Sequence, residues 1–143
     1  MFERILLSVD GSPDSEKAVR LTAELARLHG SRVLVVHGRD VPFVALNPNP
    51  VPPLVEGWEE EEEAQQLVDG AVSRLQGAGV EVRGQVLPGL GHVEYKILQA
   101  AEADGVELIV LGSRGMSRVE EVLIGSVSHK VIHMAKCPVL LVR

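Results

Sequence analysis

The sequence predicts an α/β fold: a doubly wound sheet of five parallel strands in the order 3-2-1-4-5, with helices on both faces. Three observations carry that expectation. Short, nearly unbroken aliphatic runs recur along the chain, at Ile5–Val9, Leu108–Leu111 and Val139–Val142, and such runs suit strands buried on both faces. Between them lie longer segments whose apolar residues recur at helical spacing. The composition is 45% hydrophobic yet only 3% aromatic, which fits an aliphatic core between helices and a sheet. Alternating strands and helices imply parallel strands joined by crossovers. Right-handed crossovers, with one reversal beside strand one, set the order and make strands one and four neighbours.

Taken in order, Ile5–Val9 is the first strand, stopped by Asp10, Gly11, Ser12 and Pro13. Ser12 is a helix N-cap with Pro13 at the first helical position. Ala18, Leu21, Leu25 and Leu28 follow at helical spacing, and Gly30 ends the helix. Arg32–Gly38 is the second strand, and His37 at its end reads as a packed, hydrogen-bonded core residue. From Arg39 to Gly57 five prolines remove helix and strand options, leaving a long surface loop with a lid or partner surface as the alternative. Trp58 anchors its far end. The acidic run Glu59–Glu63 then favours the positive end of a helix that continues through Leu67, Val68, Ala71, Val72 and Leu75.

Val80–Leu87 alternates apolar and polar residues, as an edge strand with one exposed face does. The next helix turns Val93, Ile97, Ala100 and Ala101 inwards, with His92 near its start. Leu108–Leu111 is the fourth strand. A short helix beginning near Ser126 lines one face with Val127, Val131, Ile132 and Ala135 before Pro138 ends it. Val139–Val142 is the last strand. The lone cysteine, Cys137, excludes an internal disulfide and reads as a small buried hydrophobe.

The chemistry concentrates after strand four. Gly112, Ser113, Arg114 and Gly115 follow it, and after nine further residues come Gly125, Ser126, Val127 and Ser128. Glycines let backbone approach a ligand closely, and successive free N–H groups form a nest for anions. The first N–H groups of the following helix are also unpaired, at the positive end of its dipole. Two such devices converging on one point make a phosphate cradle. The plainer alternative is a shaped turn followed by a capped helix. Asp10, at the carboxyl end of strand one, is open to two roles: capping its own turn or meeting a ligand in the crevice.

G-x-x-G-x9-G-S is the nucleotide-binding pattern of the universal stress protein family, and this stretch resembles it closely. VDGSPDS at the start and CPVLLVR at the end are similar to the family's usual opening and ending, and the likeness spans nearly the whole chain. It implies one nucleotide-binding domain over residues 1–143, with the proline-rich loop at 39–57. It implies ATP as the ligand, with Mg²⁺ as its companion. The matching positions are Ser8, Val9, Asp10 and Gly38 on the adenosine side, then Leu111, Gly112, Ser113, Arg114 and Gly115. Gly125, Ser126, Val127 and Ser128 complete the phosphate side. Gly38 stands where the family usually has valine beside adenine, so that contact falls to backbone. Asp10 is the one candidate protein contact for a metal. Arg118 replaces what is often a small residue, and Glu120 and Glu121 lie between the glycines.

Other doubly wound readings fail on particular positions. A receiver domain needs an aspartate ending strand three, where Val86 and Leu87 stand. No Walker phosphate loop and no G-x-G-x-x-G fingerprint is present. A hydrolase built on Ser126 or Ser128 with His129 has no placed acid. The net charge of −6 argues against a nucleic-acid surface, and no apolar run approaches a membrane span. The opening MFERILLSVDGS is too short and charged for a signal peptide, so a cytoplasmic protein is expected. Three functions stand: an ATP-holding stress or regulatory module, a slow ATP-hydrolysing or phosphoryl-transferring enzyme, and a nucleotide-free dimeric interaction module. Fast turnover is not expected, because nothing in the motif is an obvious base. The apolar edge Val139, Leu140, Leu141 and Val142 has no proline or lysine to blunt it, so a homodimer is expected there.

Overall fold

The computed structural model describes residues 1–39, 61–88, 91–115 and 124–143. Its elements alternate in the expected way: β1 (Arg4–Ser8), α1 (Pro13–His29), β2 (Arg32–Gly38), α2 (Glu61–Gly77), β3 (Glu81–Leu87), α3 (Val93–Ala103), β4 (Leu108–Gly112), α4 (Ser126–Met134) and β5 (Val139–Val142). The strands form one sheet in the order β3-β2-β1-β4-β5, and the pairs are parallel. The reversal falls beside β1, so β1 and β4 are neighbours, with Ser8 opposite Leu111.

Strand alternation divides the core in two. Ile5, Leu7, Val33, Val35, Leu108 and Val110 face one way, onto Ala18, Val19 and Ala26 of α1 and Val68, Ala71 and Leu75 of α2. Leu6, Leu34, Val36, Ile109 and Leu111 face the other way, onto Ile97 and Ala101 of α3 and Val131 of α4. Residues 5 to 7 are fully buried, as a strand covered on both faces requires. β3 at one edge is mostly exposed, and β5 at the other is half-exposed along its length.

Helix starts follow their local chemistry. Ser12 caps α1, its Oγ accepting from Ser15 N at 3.1 Å, and Pro13 opens the helix. Gly30 closes it in the left-handed conformation that glycine adopts freely. Glu61, Glu62 and Glu63 occupy the first turn of α2, where the dipole favours them.

Two expected faces are corrected. The buried stripe of α1 is Ala18, Val19, Thr22 and Ala26, whereas Leu28 is 80% exposed. Small residues dominate that stripe, while Leu25 packs against the core from its margin. In α4, Val131 is buried and Val127 and Ala135 pack beside it, but Ile132 is exposed, one position round the helix from the buried face. No described helix is long and apolar enough to cross a membrane. Most of the proline-rich loop, Trp58, Arg118, Glu120 and Glu121 lie outside the described residues.

Candidate functional site: a glycine-lined crevice between strands one and four

The two central strands end side by side, and their continuations meet. Beyond β1, Val9 N–H donates to Val36 O at 2.9 Å, so the backbone stays registered to β2 up to Asp10. His37 reinforces that register: buried, it donates from Nδ1 to the Val9 carbonyl, the core role its position suggested. Asp10 then turns the chain. Its Oδ1 accepts from Ser12 N at 2.9 Å, and its own N–H donates to Ser15 Oγ at 3.1 Å. Gly11 takes a φ of +78°, which L side chains rarely adopt, so glycine is required in this turn.

The capping role of Asp10 is therefore present, but it uses one oxygen. The second faces β4's continuation: a Cβ on Gly115 would lie 3.2 Å from Asp10 Oδ2. The topology thus brings Asp10 beside the glycine turn.

That turn is stapled to the start of α1 by residues 99 and more positions away in the chain. Ser113 Oγ, buried, donates to Asp14 Oδ2 at 2.9 Å, and Ser12 Oγ donates to Arg114 O at 3.3 Å. Arg114 Nε also lies 3.9 Å from Asp14 Oδ2, and Lys17 Nζ is 3.7 Å from Oδ1. Asp14 is the residue sequence reasoning missed. It reads as one more acidic side chain in a first helical turn, and its tertiary partners leave no local signal.

The three glycines do different things. None has positive φ, so space is the reason for each. A Cβ on Gly112 would meet Ser15 N at 2.9 Å and Asp14 C at 3.0 Å, so this glycine admits α1. Gly125 is the N-cap of α4 and lies against the first turn. A Cβ there would sit 3.5 Å from Ser113 O and 3.6 Å from Gly115 N. Gly125 N–H donates to Ser113 O at 2.7 Å, which closes the two arms onto each other.

The first N–H of α4 to find an acceptor within the helix is that of His129, bonded to Gly125 O at 2.9 Å. The N–H groups of Ser126, Val127 and Ser128 therefore lack intrahelical acceptors, and Gly125 brings no side chain to cap them. Ser126 is exposed at the helix start, whereas Ser128 is buried and its Oγ donates to Gly112 O at 2.8 Å. Ser113 N–H donates to Val142 O at 2.7 Å, so the turn is also anchored to the end of β5. Free donors at a helix N-terminus beside a tight glycine turn suit an anion.

Of the positions expected to border an adenosine, Ser8, Val9 and Leu111 line the strand ends, and Gly38 ends β2. A Cβ on Gly38 would lie 2.9 Å from Val93 Cγ1, so the first residue of α3 occupies the space a larger side chain at 38 would take. Val93 supplies apolar surface there, a compensation that only the fold reveals. Cys137 packs against the second core cluster, and burial raises its thiol pKa, which disfavours the thiolate. Among the described residues no group of three or more His, Cys, Asp or Glu is arranged to hold a metal.

The model of the universal stress protein family matches residues 1–143. A universal stress protein of Thermus aquaticus is 37% identical over 146 residues, covering the whole of both chains. Among solved structures, protein MJ0577, a universal stress protein of Methanocaldococcus jannaschii, superposes with a TM-score of 0.81 at 28% identity, covering 99% of this chain and 96% of that one. A universal stress protein from Archaeoglobus fulgidus in complex with dAMP superposes with a TM-score of 0.71 at 25% identity, covering 100% and 98%.

Proposed function

The chain belongs to the universal stress protein family, and from that premise we propose that it is a single-domain regulatory module. It holds ATP at the carboxyl ends of β1 and β4 and turns it over slowly or not at all. The observation that carries this reading is the meeting of Gly115 with Gly125 at the N-terminus of α4, where three helix N–H groups lack intrahelical acceptors. The A. fulgidus relative's complex with dAMP supports an adenine nucleotide as the ligand class.

In this reading the main chain of Gly112–Gly115 and Gly125–Val127 holds the phosphates. The exposed Ser126 hydroxyl adds a donor, and Arg114, half-exposed beside Asp14, a charge-assisted contact. Ser128 and Ser113 act one step back. Their hydroxyls hold Gly112 O and Asp14, and so hold the turn's shape. Ser8, Val9, Asp10, Gly38 and Leu111 border the adenosine, with Val93 filling the space beside Gly38. Mg²⁺ accompanies the phosphates mostly through their own oxygens and water, with Asp10 Oδ2 the available protein contact.

Fast phosphoryl transfer needs metal-bridged phosphates, a residue orienting the attacking group, and cationic help. Asp10 is partly committed to its own turn. Arg114 is the one cation on the described turn, and no base stands there. Turnover is therefore expected to be absent or far slower than the roughly 1–100 s⁻¹ of kinases. The protein works in the cytoplasm as a homodimer joined through Val139, Leu140, Leu141 and Val142, whose half-exposed edge has an unpaired row of backbone groups to cover.

The experiment is identification of nucleotide released from the purified protein, calorimetry with MgATP, and a single-turnover assay with labelled ATP. ATP bound near one per chain without phosphate release over minutes is the expected result. Absence of binding overturns the reading. Phosphate release within seconds, abolished by Asp10→Asn while binding persists, would make the protein an enzyme.

A further inference from the structure

Helix α4 carries a second set of chemically able side chains that the crevice does not use. His129 and His133 are four residues apart on this nine-residue helix, and both are exposed. Positions four apart lie one above the other on a helix face. Their ring centroids are 4.4 Å apart, with the rings inclined at 75°.

We propose that His129 and His133 form a chelating site for a borderline divalent transition metal, Zn²⁺, Ni²⁺ or Cu²⁺. Two imidazole nitrogens, each about 2.0–2.1 Å from a shared tetrahedral ion, lie roughly 3.3 Å apart. Rings with centroids at 4.4 Å reach that spacing by rotation about χ2, which is soft in histidine. Imidazole selects these metals over Mg²⁺ and Ca²⁺, which prefer oxygen. The site is therefore chemically distinct from any ion that travels with a nucleotide.

The ammonium groups flanking the pair in sequence are offset: Lys130 bonds Glu94 of α3 at 2.7 Å, and Lys136 bonds Glu102 at 2.6 Å. Cys137, further along, packs against the second core cluster and is not a competing ligand. Since the described residues offer no third protein ligand, water completes the coordination sphere. The site is then open, of moderate affinity, and able to accept a further ligand from outside.

The test uses the full chain without a histidine tag and freed of nucleotide, titrated with NiCl₂ and ZnCl₂ in a non-chelating buffer. A pH above 7 keeps imidazole neutral and able to ligate. One metal per chain is expected. His129→Ala and His133→Ala should each weaken binding by at least the roughly 10–100-fold that loss of even an outer-shell partner costs. His92→Ala should change nothing. Ala is a good helix former, so the variants keep α4. In the unaltered protein, Ni²⁺ should broaden the ring NMR signals of His129 and His133 before those of the other histidines. Binding that survives the double variant overturns the proposal. So does no binding up to about 1 mM metal, or broadening that begins at another histidine.

Discussion

Substituting Gly125 and Gly112 one at a time separates the cradle from the scaffold, because the two glycines have different neighbours. A methyl at Gly125 meets nothing closer than 3.5 Å, an ordinary contact, yet it projects over Ser113 O and Gly115 N. A methyl at Gly112 would lie 2.9 Å from Ser15 N and 3.0 Å from Asp14 C, both main-chain atoms that cannot swing aside. Gly125→Ala should therefore keep the fold and, in the proposed reading, cover a phosphate donor. A hydrogen bond to a charged group is worth about 1.5–3 kcal/mol, so ATP binding should weaken by roughly 10- to 150-fold. The N-cap change itself costs about 1 kcal/mol or less. Gly112→Ala instead overpacks the contact between β4 and α1 and should lose about 1–3 kcal/mol of stability. Thermal unfolding and calorimetry on the same preparations decide it. If folded Gly125→Ala binds ATP within about twofold of the unaltered chain, well under the 1.4 kcal/mol of a tenfold change, the glycine cradle is not where phosphates sit. If Gly112→Ala melts with the unaltered protein, the assignment of that glycine to helix packing is wrong.

Two further outcomes are expected. Leu141→Pro removes a backbone donor from the middle of β5, and light scattering at micromolar concentration should then report monomer in place of dimer; an intact assembly would exclude this edge as the interface. Burial pushes Glu94 up, but the Lys130 hydrogen bond and charge outweigh it and hold the carboxyl below its ordinary 4.5. A depressed folded value stabilises the protein above the unfolded pKa, and the gain is lost as pH falls through the folded one. Glu94→Gln should therefore lower the melting temperature at neutral pH and flatten its fall below about pH 4.5. Parallel curves would remove this pair from the acid response.

The fold was legible because both of its periodicities are strong. The runs at β1, β4 and β5 are nearly unbroken stretches of aliphatic residues, and the breaks between them carry Ser12, Pro13 and Gly30 at the helix boundaries where their chemistry belongs. Strand order then followed from handedness. What misled was residue size. Leucines at 21, 25 and 28 mark a helical period, but the buried side is the one with Ala18, Val19, Thr22 and Ala26, with Leu25 at its margin and Leu28 exposed. Hydrophobicity alone does not say which side of the period meets the core. The same limit applies at Ile132, whose spacing fits the apolar stripe of α4 while its side chain is exposed.

The location of the candidate site was legible and its division of labour was not. Three glycines at a fixed spacing after a buried strand mark where backbone must come close, but sequence cannot say close to what. In the structure Gly112 yields to the α1 backbone, while Gly115 and Gly125 yield to Asp10 and to each other. A serine after a glycine likewise reads as a donor for phosphate. Yet Ser128 donates to Gly112 O, and Ser113, 99 residues from Asp14, donates to its carboxylate. Those bonds make the arms of the crevice one hydrogen-bonded unit: α1 through Asp14 and Ser12, β5 through Val142 O, and α4 through Gly125. A ligand drawing on Gly115 and the start of α4 would therefore act on the end of β5 through Ser113, two bonds away. In the proposed reading, nucleotide in the crevice would have a short covalent and hydrogen-bonded route to the edge proposed for dimer contact. Coupling between the two is tested by whether ATP shifts the dimerisation constant. Because the Ser113–Val142 link is main chain, Ser113→Ala, which loses only the hydroxyl bond to Asp14, should keep the shift, and a dimerisation constant that ATP leaves unchanged would exclude the route.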